Sequence, residues 1–373
     1  MKVPLLLPLL PSADDLLPYL RRIDQNRIYS NWGPLVAELS ERIASFFNVS
    51  AERIVTASSG TAALVGAILA TAGRANAHRN VAVTQAMTFV ATLSAMEQCG
   101  YTARIMDVKR DTWSLDPEAV RNRTDLDEVG VVVPVAAYGR PIEIRSWEQF
   151  SRNTGIPVVI DAAACFDTLG TSLERYVGAI PLALSFHATK VFSTGEGGCV
   201  ICADGQVAER VTAALNFGFF VDRNSRVPSI NGKMNEYSAA MGLCSLDRWS
   251  AIARSRRAIL DFYSEVFTGL PGCRIVLWPR ISSTYVLLLC EEASPDFVIA
   301  QLQQNAIDYR LWYGSGLHLQ TYVQRMAGQG RLAVTEDLCC RLIGMPVVDF
   351  SDEQHTQLRR FSHVISTSYR GQI

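Results

Sequence analysis

One lysine, Lys190, ends the run Ser185-Phe186-His187-Ala188-Thr189-Lys190, in an apolar neighbourhood and ahead of the glycine-rich turn Ser193-Thr194-Gly195-Glu196-Gly197-Gly198. A lysine held where water is scarce loses part of the solvation of its ammonium form, which frees the amine to attack a carbonyl. That is the requirement of Schiff-base chemistry. Taken alone, such a lysine is better explained as one that snorkels from a strand end to water.

Two earlier stretches change that balance. Val158-Val159-Ile160-Asp161 reads as a buried parallel strand ending on a carboxylate, at the sheet edge where open α/β folds gather their ligands. Ile54-Val55-Thr56-Ala57 reads as a second strand, and Ser58-Ser59-Gly60-Thr61 opens a helix from Ala62 to about Ala72. A helix start offers free N–H groups and the positive end of the dipole to a phosphate. Each part has a plainer explanation, since Ser59 or Thr61 could be a helix cap and Asp161 an ion-pair partner. Together they match one cofactor, pyridoxal 5'-phosphate (PLP): an amine for its aldehyde, an acid for its ring nitrogen and a cradle for its phosphate.

The run SFHATKVFSTGEGG, the segment ASSGTAAL and the strand ending Asp161-Ala162-Ala163 resemble the DegT/DnrJ/EryC1/StrS family over nearly the whole chain. The resemblance implies a fold-type-I PLP-dependent aminotransferase acting on a keto-sugar, mostly one linked to a nucleotide. It implies that Lys190 and Asp161 are catalytic and that Gly60, Thr61 and Ser185 hold the phosphate. Phe89 is implied to stack on the cofactor ring, with Ala163 against its face. Ser229-Ile230-Asn231-Gly232-Lys233-Met234-Asn235 resembles the family's Gly-x-Asn-x-Arg-Met element, whose asparagine reaches the phosphate of a neighbouring subunit. Asn231 matches it, which implies a homodimer with shared sites, whereas Asn-Gly alone would read as a turn. Asp308 to His318 resembles a small-domain segment near the substrate, making Arg310 and His318 candidate substrate contacts. The implied donor is L-glutamate or glutamine. One departure stands out: where the family carries Glu-Asp-Ala-Ala-Gln, this chain reads Ile160-Asp161-Ala162-Ala163-Ala164, so a hydrogen bond near the cofactor's ring hydroxyl is absent or comes from elsewhere.

Composition excludes several other classes. The 373 residues carry 35 Lys+Arg against 36 Asp+Glu, a net charge of −1 that argues against a nucleic-acid partner. With 49% hydrophobic and 19% charged residues, the chain can bury a large core and a subunit interface. Nine cysteines, an odd number among apolar neighbours, suit free thiols in a reducing cytoplasm. Cys199 and Cys202 have CxxC spacing but lie along one strand with no second pair, so core packing explains them better than a metal. The apolar run at Leu5–Leu10 is short and broken by prolines, so neither a targeting segment nor a membrane span is expected. No GxGxxG, GxxxxGK[ST], GxSxG or HExxH motif is present.

Strands alternating with helices predict a doubly wound, mostly parallel α/β sheet; the resemblance implies that it has seven strands, in a large domain over 1–245 with a smaller α+β domain over 246–373. Expected helices include 12–24 behind the capping box at Ser12, 34–47, 144–153, a long stretch over 236–267, and a last helix opened by Ser351; 274–277 and 283–290 read as paired strands of the second domain. Two readings compete with the nucleotide-sugar aminotransferase. One is other PLP chemistry on a non-sugar cyclic ketone; the other is a non-catalytic binding protein on the same fold, which predicts decay of Lys190, Asp161 and Gly60-Thr61.

Overall fold

Runs such as Val129–Val133 are buried along their whole length, as strands covered on both faces must be. In the computed structural model, which describes residues 2–140, 142–171, 177–277, 283–325 and 330–370, seven strands form the central sheet. They are β1 (Ile54–Ala57), β2 (Val81–Gln85), β3 (Thr102–Met106), β4 (Val129–Val133), β5 (Ile160–Asp161), β6 (Leu182–Ser185) and β7 (Gly198–Ile201). Ladders give the orders β1-β7-β6-β5 and β3-β2-β4. Parallel bridges from Val132 to Val158 and from Val135 to Asp161 join them into β1-β7-β6-β5-β4-β2-β3. Only β7 runs against the rest. The mostly parallel, seven-stranded expectation therefore holds.

Helices cover the sheet: α1 (Ala13–Asn26), α2 (Pro34–Phe47), α3 (Gly60–Thr71), α4 (Val90–Gln98), α5 (Pro117–Arg121), α6 (Ile144–Thr154), α7 (Phe166–Thr171), α8 (Gly205–Leu215) and α9 (Glu236–Asp247). The Ser12 capping box forms as read. α3 is buried along Ala62–Leu69, so the helix that Ser58-Ser59-Gly60-Thr61 opens runs through the core. Glu236, fully buried, accepts from the N–H groups of Leu35 and Val36 at 2.9 Å each. Its carboxylate thus caps α2 from the first turn of α9 and fixes the Tyr29–Gly33 loop between them.

The C-terminal part builds on an antiparallel sheet, β8 (Cys273–Val276), β9 (Val286–Cys290) and β10 (Leu342–Met345), ordered β8-β9-β10. With it go α10 (Trp249–Phe267), α11 (Pro295–Gln304), α12 (Thr321–Gln324), α13 (Ala333–Arg341) and α14 (Asp352–Arg370). The first residues follow their own path: Val3 and Leu6 bridge to Ile307 and Val347, so the N-terminal strand segment packs on this smaller sheet. Asp107, just past β3, accepts from the N–H groups of Val334 and Thr335 and from the Thr335 hydroxyl at 2.7–2.9 Å. A carboxylate of the large sheet thereby caps a helix of the small one.

Two details differ from the sequence expectation. The stretch over 236–267 is two helices, broken at Arg248; the turn lets Trp249 meet Phe46 and Phe166 edge-on. The strand expected from Ser283 begins only at Val286, and the residues before it turn towards Lys190.

Candidate active site

The lysine turn follows β6. Phe186 and Val191 flank it as buried anchors, and the turn closes through bonds from the Lys190 N–H to the His187 carbonyl and from the Ala188 N–H to the Gly195 carbonyl, both 2.8 Å. Gly195 has φ +77°, a backbone setting where a Cβ is strained, which explains a glycine there. Lys190 is half-buried and its Nζ donates to Tyr285 Oη at 3.1 Å.

The acid lies one strand away. Asp161, at the end of β5, is 8% exposed and accepts from Thr92 Oγ1 at 2.7 Å and from the Ala163 N–H at 3.1 Å. Thr92 is itself met by Thr88 Oγ1 at 2.8 Å. Burial raises the Asp161 pKa, while the two hydrogen bonds and the Lys190 charge pull the other way. A carboxyl so fixed is ready to pair with a cationic ring nitrogen.

The cradle is made by close approach. Ser59 caps α3 by accepting from the Ala62 N–H at 3.0 Å, and the Gly60 and Thr61 N–H groups have no partner among the described residues. A Cβ on Gly60 would lie 2.6 Å from Ser185 Cβ and 3.1 Å from its Cα. A Cβ on Gly198 would lie 2.5 Å from the Leu184 carbonyl oxygen and 2.9 Å from Gly60 N. The ends of β1 and β6 and the start of β7 thus meet at one point. Gly60→Ala is expected to destabilise the fold by about 1–3 kcal/mol and to weaken PLP binding at least about tenfold, as loss of one phosphate hydrogen bond would. Thermal unfolding of the apoprotein and PLP titration check the two parts separately.

Comparison with known proteins identifies the family. The pattern of the DegT/DnrJ/EryC1/StrS aminotransferase family matches residues 12–359. The chain belongs to this family. It is 31% identical over 294 residues to the dTDP-4-amino-4,6-dideoxy-D-glucose transaminase of Shigella dysenteriae, covering 77% of each chain. It is 29% identical over 360 residues to Protein Rv3402c of Mycobacterium tuberculosis, covering 93% of this chain and 86% of that one. Among solved structures, DesI in the presence of its TDP-sugar product superposes with a TM-score of 0.84 at 29% identity, covering 98% of this chain and 94% of that one.

PLP, on which DegT/DnrJ/EryC1/StrS aminotransferases depend, fits the residues present. An amine, a buried acid and a pair of N–H groups without a partner among the described residues sit at the same end of the sheet, and glycines at 60 and 198 let the segments close in there where a Cβ would clash with Ser185 and the Leu184 carbonyl. Ala163 is half-buried, donating to Asp161 and accepting from the Ser185 N–H at 3.3 Å, so it links acid and cradle. Ser185 Oγ accepts from the His187 N–H at 3.3 Å.

Other family positions stand further out. Phe89 caps α4 with its ring 63% exposed on this chain. Asn231 is exposed; its Oδ1 accepts from Lys233 Nζ at 2.7 Å, leaving the amide NH2 to donate outward. Arg310 is exposed, its guanidinium 5.5 Å from the Trp312 ring, and Trp312 packs edge-on to Tyr285. Arg310 therefore reaches the Lys190 cluster through two aromatic rings. His318 is not brought there: it is 2% exposed, with Nε2 at 3.1 Å from Glu336 and its other side against Gly316.

Sequence reading missed Thr92, Tyr285, the buried Tyr138 and the half-buried Tyr313; the rings of the last two lie 4.4 Å apart, with Tyr138 edge-on to Tyr285. Thr88 and Thr92, one helical turn apart beside Phe89, offered a signal. Tyr285 offered none.

Proposed function

We propose that this aminotransferase moves an amino group from L-glutamate or glutamine to the keto group of a nucleotide-linked sugar, a 3-keto- or 4-keto-deoxysugar. The observation that carries the reading is Lys190 beside the buried Asp161 at the sheet edge where α3 begins. The relatives named as transaminases of a dTDP-linked deoxysugar supply the substrate class.

When bound, PLP supplies the electron sink that makes an amino-acid α-proton acidic. The chain's residues supply the rest. Gly60, Thr61 and Ser185 hold the phosphate at the α3 N-terminus, and Asp161, steadied by Thr92 and the Ala163 N–H, keeps a proton on the ring nitrogen. Lys190 would hold the cofactor by its Nζ and, once released, would be the residue that carries the proton, on that same atom. Tyr138, Tyr313 and Trp312 wall the site with apolar surface and limit water.

We infer further that the working unit is a homodimer in which Asn231 of one subunit completes the partner's phosphate site. Its outward amide and the exposed Phe217, Phe220, Val221 and Tyr237 around that segment support this, since such apolar surface is rarely left to water. Mixing inactive Lys190→Ala and Asn231→Ala proteins tests it. A shared site regenerates intact centres in roughly a quarter of positions after random exchange, whereas no gain over Asn231→Ala alone rules it out. Nine free thiols support a cytoplasmic enzyme; among the described residues no helix is long and apolar enough to cross a membrane.

The absorbance spectrum of the PLP-loaded protein, before and after L-glutamate, tests the reaction. A change of the cofactor band on adding glutamate, reversed by one of the dTDP-, UDP- or GDP-linked keto-sugars, supports the proposal. A band that responds to an amino donor but is restored only by a free cyclic ketone moves the substrate class.

A further inference from the structure

Resting on the aminotransferase reading, we propose that Tyr285 is a positioning residue for the reaction: its hydroxyl aims Lys190 Nζ and steadies it while that atom carries the proton. Two consecutive residues of the small domain meet two consecutive residues of the lysine turn. Thr284 Oγ1 accepts from the Val191 N–H at 3.2 Å, and Tyr285 Oη accepts from Lys190 Nζ at 3.1 Å. Among the described residues no other hydrogen-bond partner of Nζ is found, although Asp161 and Cys165 lie within electrostatic reach of it.

The phenol is held before any ligand arrives. Its ring is clamped edge-on between Trp312 at 5.0 Å and Tyr138 at 5.6 Å, and its N–H donates to Ser283 Oγ at 3.0 Å. Lys190 Nζ lies 5.5 Å from the ring centroid, beyond the hydroxyl rather than over the ring face, so the contact between the two side chains runs through the oxygen. A lysine has four rotatable side-chain bonds, and a fixed acceptor at the tip removes most of that freedom. A phenol hydroxyl can accept from an amine N–H or, by rotating, donate to its lone pair. Tyr285 therefore serves both protonation states of Nζ and neither gains nor loses a proton over the cycle; the proton that leaves the donor carbon goes to Nζ and from there to the cofactor.

Tyr285→Phe keeps the ring and removes only the oxygen. In the apoprotein, the rate of covalent PLP capture at Lys190 is read by borohydride fixation and peptide mass. The chain's four lysines, Lys2, Lys109, Lys190 and Lys233, make the assignment unambiguous. Capture is expected to slow about tenfold. In the loaded enzyme, kcat should fall roughly 10–100-fold with KM for the donor within about twofold. The isotope effect with α-deuterated L-glutamate, or whichever donor the wild type uses, should rise, because proton transfer becomes the slow step. A residue that merely packs would not move the isotope effect. If either the capture rate or the isotope effect is unchanged in Tyr285→Phe while the wild type works, the role of Tyr285 is overturned and the aminotransferase reading stands. Wild-type protein that captures no PLP at Lys190 overturns both.

Discussion

Lys190→Ala should lower transamination by about 10⁴-fold or more, the scale seen when a covalent nucleophile that also moves a proton is removed. Both of its tasks act through Nζ, and the structure offers no substitute. Lys2 pairs with Asp308 on the small domain, Lys109 with Asp116, and Lys233 stacks on Phe217 beside Asn231. The variant should fold, because Lys190 is half-buried and the turn is held by backbone bonds that do not involve its side chain. PLP should still bind weakly through Gly60, Thr61 and Asp161, but borohydride should fix none of it to the chain. A variant that keeps turning over would remove Lys190 from the mechanism.

How much of this was open to sequence reading follows from distance along the chain. Lys190 and Gly195 belong to one local turn, Gly60 opens a helix directly after a strand, and Asp161 ends an apolar run, so each announces itself through its immediate neighbours. The mostly parallel α/β sheet was legible for the same reason, from alternating apolar runs and helices, whereas its count of seven strands came with the family resemblance. Thr92 acts on Asp161 across 69 positions, and Tyr285 on Lys190 across 95. A threonine on a helix and a tyrosine ahead of a strand are each common, and only the fold gives them a partner. The break at Arg248 was invisible because no proline or glycine marks it; it is set by where Trp249 packs. His318 shows the converse, since a histidine between a glycine turn and a helix invites a functional reading while its ring is sealed against Glu336.

Asp161→Asn should lower kcat on the order of 10³-fold, because without the carboxylate the ring nitrogen is no longer held protonated and the ring is a weaker electron sink. The amide is nearly isosteric and can keep the Thr92 and Ala163 contacts, so geometry survives while the anion that holds the ring-nitrogen proton is lost. Stability should move the opposite way. Burial raises the folded-state pKa of Asp161, so the folded apoprotein binds that proton more tightly than the unfolded chain. Its contribution is present below the ordinary carboxylate range and is lost as pH rises through the raised value. The Asn variant has no such group, so at neutral pH its apoprotein should unfold at or above the wild-type temperature, and the decline from mildly acidic to neutral pH should be shallower. Thermal unfolding against pH checks this; a less stable variant at neutral pH would mean that the carboxylate is held favourably in the empty site.

The pairing of Ile54 with Ile201 sets a timetable for synthesis. β1 leaves the ribosome early, but its neighbour β7 follows roughly 150 residues later, which at 5–20 residues per second is roughly 7 to 30 s. The cradle needs both, since Gly60 is fitted against Ser185 and Gly198. A nascent chain that has completed α3 therefore has a helix start but no phosphate pocket, and it must keep the strongly apolar face of β1 shielded in the interval. Cofactor loading becomes a late checkpoint: it reports that the edge of the sheet has closed, and chains stalled before Gly198 should emerge colourless in PLP and dependent on chaperones.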